Sequence, residues 1–418
     1  MIYFTLPNTF LYTYKYIGFY EDPNCNSLSI SNSLSFYLNN IKEKIDHFEK
    51  EWDIYKKYTN PYEYIHTPIP NVKKSVCKYK PLSRSYFKMI ELIHLFNLKN
   101  NNKYISYDNL PTTKEESISS PINNNNYTKY KKKQNCPIKT FHLAEGPGGF
   151  IEAFVQLRNN PLDVYIGMTI LDNKYDMNIP SWKKSTNFLK ENVNVFIENG
   201  IDQTGDILNI DNFVYCKNKY GSSIQLITAD GGFDFSMDFN NQEIAISKLL
   251  FAQMAFALCM QSHGGDFILK IFDSFMPQTI DILYILSSFY ETVYITKPQT
   301  SRFANSEKYI VCKNFCFNSN ELFFPYLYNA FSKMLKCPND FKFRFLNIPL
   351  SNFFLSKLEE FNSIIGQQQI ENIHQTISLI EYNEYDKNDQ ILNLIKNNVQ
   401  KSINWCLKYN IPFNNIYL

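Results

Sequence analysis

Between residues 138 and about 313 the chain alternates short apolar runs with longer, helically patterned stretches. The runs are "TFHLAEG", "VYIGMTIL", "IQLITADGG", "DFILKIF", "TVYITKP" and "KYIVCKN"; the longer stretches include "GFIEAFVQLRNN" and "NQEIAISKLLFAQMAFALCMQS". This alternation predicts an α/β fold, a mostly parallel sheet with helices on both faces. The last two strands, near 292–297 and 308–313, are joined by too few residues for a crossover helix, so they are predicted to pair antiparallel. Upstream, residues 34–58 carry Ile41, Ile45, Phe48 and Trp52 at three- and four-residue spacing, a helical stripe. A second helix is predicted over 85–96, and residues 320–418 read as helices with Asn- and Lys-rich surfaces and no chemical signature.

A polar tract, "PTTKEESISSPINNNNYTKYKKKQN" (111–135), interrupts this pattern. It cannot bury much apolar area and reads as an exposed insertion. The 418 residues suffice for two or three domains. The expected division is a partly helical N-terminal extension (1–80), a central α/β domain (81–318) and a helical C-terminal region (319–418).

A formal charge of +2 means that nucleic-acid affinity must come from a local patch. Nine cysteines without a CxxC pair suggest reduced thiols in a cytosol-like compartment and no zinc set. The aromatic N-terminus lacks the features of a leader, and the apolar segment 244–260 is interrupted by Ser247, Lys248 and Gln253. It is expected to be a buried helix of a soluble, cytoplasmic protein with no membrane partner.

Chemistry concentrates at the strand ends. "HLAEGPGGF" (142–150) is a strand, a glycine-rich turn and a helix start. Gly146, Gly148 and Gly149 let a nucleotide-like ligand approach the backbone, although such turns also serve plain strand–helix packing. Asp206 in "DQTGDIL" reads either as an adenine-edge acceptor or as a turn aspartate. Asp230 ends the strand "LITAD", where ligands bind in such sheets, or else forms an Asp-Gly turn. Lys270, inside the apolar run "DFILKIF", is the oddest residue, because burying a charged amine there is costly. Lys88, Lys297, Arg302, Asn305 and Glu307 lie in "SRSYFKM" and "KPQTSRFANSEKYIVC"; single lysines such as Lys88 and Lys297 are ordinarily solvated.

In order and spacing, "NPYEYI" (60–65), "SRSYFKM" (83–89), "AEGPGGF" (144–150), "IGMTI" (166–170), "GDI" (205–207), "ADGGFDFS" (229–236), "NNQE" (240–243), "GGDFILKIFD" (264–273) and the segment 297–313 resemble the FtsJ-type (RrmJ-type) RNA 2'-O-ribose methyltransferases. The resemblance is closest to the branch that methylates the first transcribed nucleotide beside an mRNA cap, including enzymes of large cytoplasmic DNA viruses. The Asn/Lys/Ile/Tyr bias suggests an AT-rich genome, and the compact cap-type architecture resembles the viral enzymes. The resemblance implies a Rossmann-like sheet and S-adenosylmethionine as methyl donor. It implies a Lys88–Asp230–Lys270–Glu307 tetrad. The donor would be held by Ser83, Ala144, Glu145, Gly146, Pro147, Gly148, Gly149, Phe150, Asp206 and Ile207. Contacts to capped, single-stranded mRNA ends fall on Asn240, Gln242, Asn305, Arg302, Lys297 and Lys56. Other capping or transcription proteins are candidate partners, and no metal is required.

Two positions depart from many methyltransferases. Met168 and Thr169 stand where an acidic residue commonly holds the donor ribose, and His142 stands where many relatives carry aspartate. The implied chemistry makes Lys270 a general base, its amine neutralised by an apolar site and by the second cation, Lys88. The competing expectations are a ribosomal or transfer RNA methyltransferase and a non-catalytic RNA-binding scaffold that kept the fold.

Overall fold

The computed structural model describes residues 2–22, 29–99, 136–171, 182–232, 242–338, 342–382 and 384–416. The N-terminal part carries β1 (Tyr3–Leu6), β2 (Ile17–Glu21), α1 (Asn32–Glu43), α2 (Glu49–Thr59) and α3 (Ser85–Leu95). β3 (Lys139–Leu143), α4 (Gly149–Arg158), β4 (Val164–Met168), α5 (Thr186–Glu191), β5 (Val195–Ile197) and α6 (Ile210–Tyr220) follow. Next come β6 (Ile224–Ala229), α7 (Gln242–Met260), β7 (Gln261–Ile271), α8 (Pro277–Phe289), β8 (Tyr290–Thr296) and β9 (Lys308–Phe315). α9 (Phe324–Lys336), β10 (Phe343–Leu346), α10 (Asn352–Glu381) and α11 (Glu384–Lys408) close the chain.

Eight strands form one sheet in the order β1-β8-β9-β7-β6-β3-β4-β5. Strands β3 to β7 pair in parallel, as the strand–helix alternation requires. β9 lies antiparallel between β7 and β8, so the expected late hairpin is present. β1 was not predicted: it adds antiparallel to β8, with Tyr3 opposite Thr296. A second small sheet pairs β2 with β10, again across the length of the chain.

Period-two alternation divides the sheet into two cores. Phe141, Leu143, Ile227, Ala229, Phe267, Leu269 and Ile271 pack with the fully buried α7 and α8 side. Leu226, Ile268, Tyr309 and Val311 pack on the opposite face, with α3 and α4. α7 is long and apolar enough to cross a membrane by composition, but its Leu250–Met260 side chains are all buried in this core.

The stripe over 34–58 is not one helix. Lys44–Phe48 tighten into a 3-10 turn between α1 and α2. The tighter turn re-phases the stripe, so Ile41, Ile45 and Trp52 all meet Ile373 and Ile377 of α10. The polar tract 111–135 lies outside the described residues. On either side of that stretch, Lys99 and Cys136 give their carbonyls to the Arg158 guanidinium, which Asp163 holds in turn.

Candidate active site

The alternation that puts Ile268 on the α3/α4 face puts Lys270 there too. Its nitrogen donates to the Asp230 carbonyl at 2.6 Å and lies 3.3 Å from the Asp230 carboxylate. On α3, Lys88 reaches the Glu307 carboxylate at 2.7 Å. The two ion pairs adjoin, because Lys270 stands opposite Tyr309, two residues past Glu307, in the β7–β9 ladder. The Tyr309 hydroxyl donates to Asp230 at 2.9 Å, fixing the carboxylate from a fully buried position. Four separate segments thus converge on one point.

Burial would raise the Glu307 carboxyl, but Lys88 and Lys270 overcome it and hold it at about 2. Lys297 is placed differently from its expected substrate contact. It is buried, and its ammonium is spent on the Asn305 carbonyl (2.6 Å), the Asn305 side chain (2.8 Å) and the Glu307 carbonyl (3.0 Å). It therefore shapes the 305–307 turn from below. Burial pushes Lys297 down to about 7 from 10.5, against the attraction of Glu307. Between those values the unfolded chain binds the extra proton, so stability rises with pH across the window. Relative to Lys297→Met, the wild type should gain at most about 1.4 kcal/mol per pH unit in urea unfolding between pH 7 and 9. A pH-independent difference would contradict this.

The glycine turn lies beside the tetrad. Asp230 N–H reaches the Leu143 carbonyl at 3.4 Å, and a Cβ on Gly231 would sit 2.9 Å from that of Ala144. Ala144 and Gly148 both have positive φ, 53° and 100°, which opens the loop between β3 and α4. A side chain at Gly149 would collide with the hydroxyls of Ser83 and Ser85, which ties Ser83 to the turn. Pro147 gives its carbonyl to Ser185 at 2.5 Å, and Phe150 packs inward against Tyr309.

Glu145 is buried and pushed up by burial, against the opposing pull of His142. One oxygen accepts from Thr228; the other has no hydrogen-bond partner, with His142 Nδ1 at 3.2 Å. His142 is thus a strut beneath the turn, bridging Thr140 and Thr228 at 2.8 and 2.7 Å. Asp206 uses one oxygen to accept from Leu208 N–H at 2.8 Å, the turn role, and stays half-buried. Ile207 turns into the core, so only its backbone can meet a ligand. Met168 is likewise a core residue and cannot hold a ribose.

Gln242, Arg302, Asn305 and Lys56 line one cavity of about 280 Å³, with Lys42, Trp52 and Phe272. It adjoins the tetrad, since Lys270 lies 5.7 Å from the Phe272 ring. Arg302 is aimed by Glu63, which accepts from it at 3.0 and 2.8 Å. Lys56 pairs with Asp53 on α2. Asn240 lies outside the described residues.

Residues 81–315 match the FtsJ-like methyltransferase family. The chain belongs to this family. Its FtsJ-like segment is 31% identical over 225 residues to the cap-specific mRNA (nucleoside-2'-O-)-methyltransferase 2 of Drosophila melanogaster, covering 49% of this chain and 30% of that one. It is 38% identical over 177 residues to the cap-specific methyltransferase 1 of Bos taurus, covering 41% and 21%. An inactive cap-specific methyltransferase 1B of Caenorhabditis briggsae is 28% identical over 284 residues, covering 64% and 32%. The matched segments span less than a third of these relatives' lengths. A solved ribosomal RNA methyltransferase of Plasmodium falciparum is 19% identical, with a TM-score of 0.35, covering 56% of this chain and 97% of that one.

Several residues of this FtsJ-like site escape the motif reading. Tyr309 looks like one more core aromatic in "KYIVC"; only its hydroxyl on Asp230 marks it. Lys42 and Lys308 are buried against Asp273 at 3.3 and 3.1 Å, and Lys42 also lines the cavity. Gln369 and Asn372, from α10, line the cavity although their segment carries no motif.

Proposed function

We infer that this chain transfers a methyl group from S-adenosylmethionine to a ribose 2'-hydroxyl of RNA, at the first transcribed nucleotide of capped mRNA. The observation that carries this reading is the adjoining of Lys88–Glu307 and Lys270–Asp230 beside the glycine turn. The residues present fit the donor. The open Ala144–Phe150 turn suits its amino-acid part, and the half-buried Asp206 suits its adenine amine.

When bound, the donor supplies an electrophilic methyl group on a sulfonium. Lys270 takes the hydroxyl proton as the ribose oxygen attacks, and Asp230 aims that amine. Glu307 holds Lys88 as a second cation beside the Lys270–Asp230 pair, in position to steady the attacking oxygen. The cavity supports a cap reading: the aromatic residues Trp52 and Phe272 line it, and Lys56 and Arg302 bring partly exposed cations that suit the phosphates of a capped end.

Similarity to an inactive relative makes the decisive test enzymatic. Tritiated donor and short RNAs, capped or uncapped, followed by nucleoside analysis, should place label on the first 2'-oxygen of capped RNA alone. Equal labelling of both RNAs would sink the cap assignment. Donor binding without transfer to any RNA would support the scaffold reading instead.

A further inference from the structure

Glu91 is a fully buried carboxylate one helical turn beyond Lys88 on α3. Among the described residues no cation pairs with it. Its oxygens instead accept three N–H groups: Gln299 at 2.8 Å, Thr300 at 2.8 Å and the Trp405 indole at 3.2 Å. A buried carboxylate without a counter-ion is costly, and it is tolerated only where donors saturate it. Three parts of the chain meet there: α3, the loop that leads to Arg302 and Glu307, and α11.

Lys88 and Glu91 grip the same loop-and-strand segment at two points. Glu91 holds residues 299 and 300, and Lys88 holds Glu307. The register of α3 against that segment is therefore set jointly, and α11 reinforces it. The Trp405 ring stands edge-on to Phe87, 5.7 Å away, directly before Lys88. Tyr409, tilted against Trp405 at 4.6 Å, meets His94 at 5.2 Å. Phe87, Glu91 and His94 form one face of α3, and α11 covers it.

We propose that Glu91 and Trp405 are positioning residues, through which the C-terminal helix α11 fixes Lys88 against Glu307 for methyl transfer. This rests on the reading of the site given above and assigns a task to the C-terminal region that the family motifs do not reach. A glutamine at 91 would keep the shape but turn an N–H toward Gln299 N–H, releasing that clamp. A phenylalanine at 405 would remove the indole donor and part of the buried ring volume, while leaving an aromatic ring beside Phe87.

The test uses the full chain in two measurements. In single-turnover methyl transfer to capped RNA, Trp405→Phe should lower the rate about tenfold and Glu91→Gln more, with half-saturating RNA concentration and donor Kd close to wild type. The double variant should be slower than either single one, because the glutamine releases the Gln299 N–H while the phenylalanine removes the indole donor from the other oxygen. Without RNA, lysine labelling by an amine-reactive ester, read by mass spectrometry, should show Lys88 labelling roughly threefold faster in Trp405→Phe, with Lys270 unchanged. Unchanged Lys88 labelling in Trp405→Phe, or labelling that rises equally at Lys88 and Lys270, would overturn the proposal. The labelling arm decides it even if the wild-type chain transfers no methyl group to RNA.

Discussion

Lys270→Ala should reduce methyl transfer by about a thousandfold, and Lys270→Arg should do the same, while donor affinity stays within about twofold of wild type. Alanine removes the amine that faces the substrate oxygen. Arginine keeps the positive charge and much of the length, but a guanidinium does not release its proton at any accessible pH. The pair of variants thus separates proton acceptance from charge. Donor affinity is expected to survive because the glycine turn is built by β3, α4 and the Ser83 hydroxyl, none of which leans on the Lys270 side chain. Single-turnover transfer from tritiated donor, with calorimetric titration of the donor, measures both quantities. Turnover in Lys270→Arg within tenfold of wild type would remove the general-base role and leave Lys270 an electrostatic one.

The sheet was legible in the sequence because its central strands are contiguous apolar runs, each closed by a turn signal. The antiparallel hairpin was legible from a loop too short to cross over. β1 was not, because "YFTL" is a four-residue edge strand whose partner lies nearly three hundred positions away, opposite Tyr294 and Ile295. No local pattern encodes that pairing. β2 and β10 escaped for the same reason.

The site shows a similar division. Motif residues at strand ends could be named, because ligands in parallel sheets gather there. What could not be read was which polar groups the fold turns inward. Lys297 follows a strand and looks solvated, yet the 305–307 turn curls over it and supplies three acceptors. Glu91 looks like a polar helix residue, yet backbone from one distant segment and an indole from another saturate it. In both cases the partners lie in tertiary contacts that one-dimensional spacing does not carry.

Glu63→Gln should destabilise the protein by about 3 kcal/mol at pH 7, the lower end of what breaking a buried ion pair costs. Glu63 is fully buried and accepts from Arg302 twice, from Asn60 at 2.6 Å and from Thr67 at 2.9 Å; Arg84 stands 3.6 Å away. Burial alone would raise its carboxyl, but the Arg302 hydrogen bonds and the Arg84 charge hold it well below the usual carboxylate range. Glutamine would leave two guanidinium groups facing each other with no anion between them. Since both are partly exposed, they can recover some hydration, which keeps the loss at the lower figure. The sign of the pH dependence follows from the lowered carboxyl. Its stabilisation is present above about 4.5, the unfolded value, and is lost as the pH falls toward the native one. His66, held at about 3 by burial and Arg84, also costs stability on acidification, but in both proteins. The gap between wild type and Glu63→Gln in urea unfolding should therefore narrow between pH 5 and pH 3 without closing, and Arg302→Gln in the variant background should recover part of the loss. A gap that stays constant over that range would mean that the glutamine disturbs packing rather than charge.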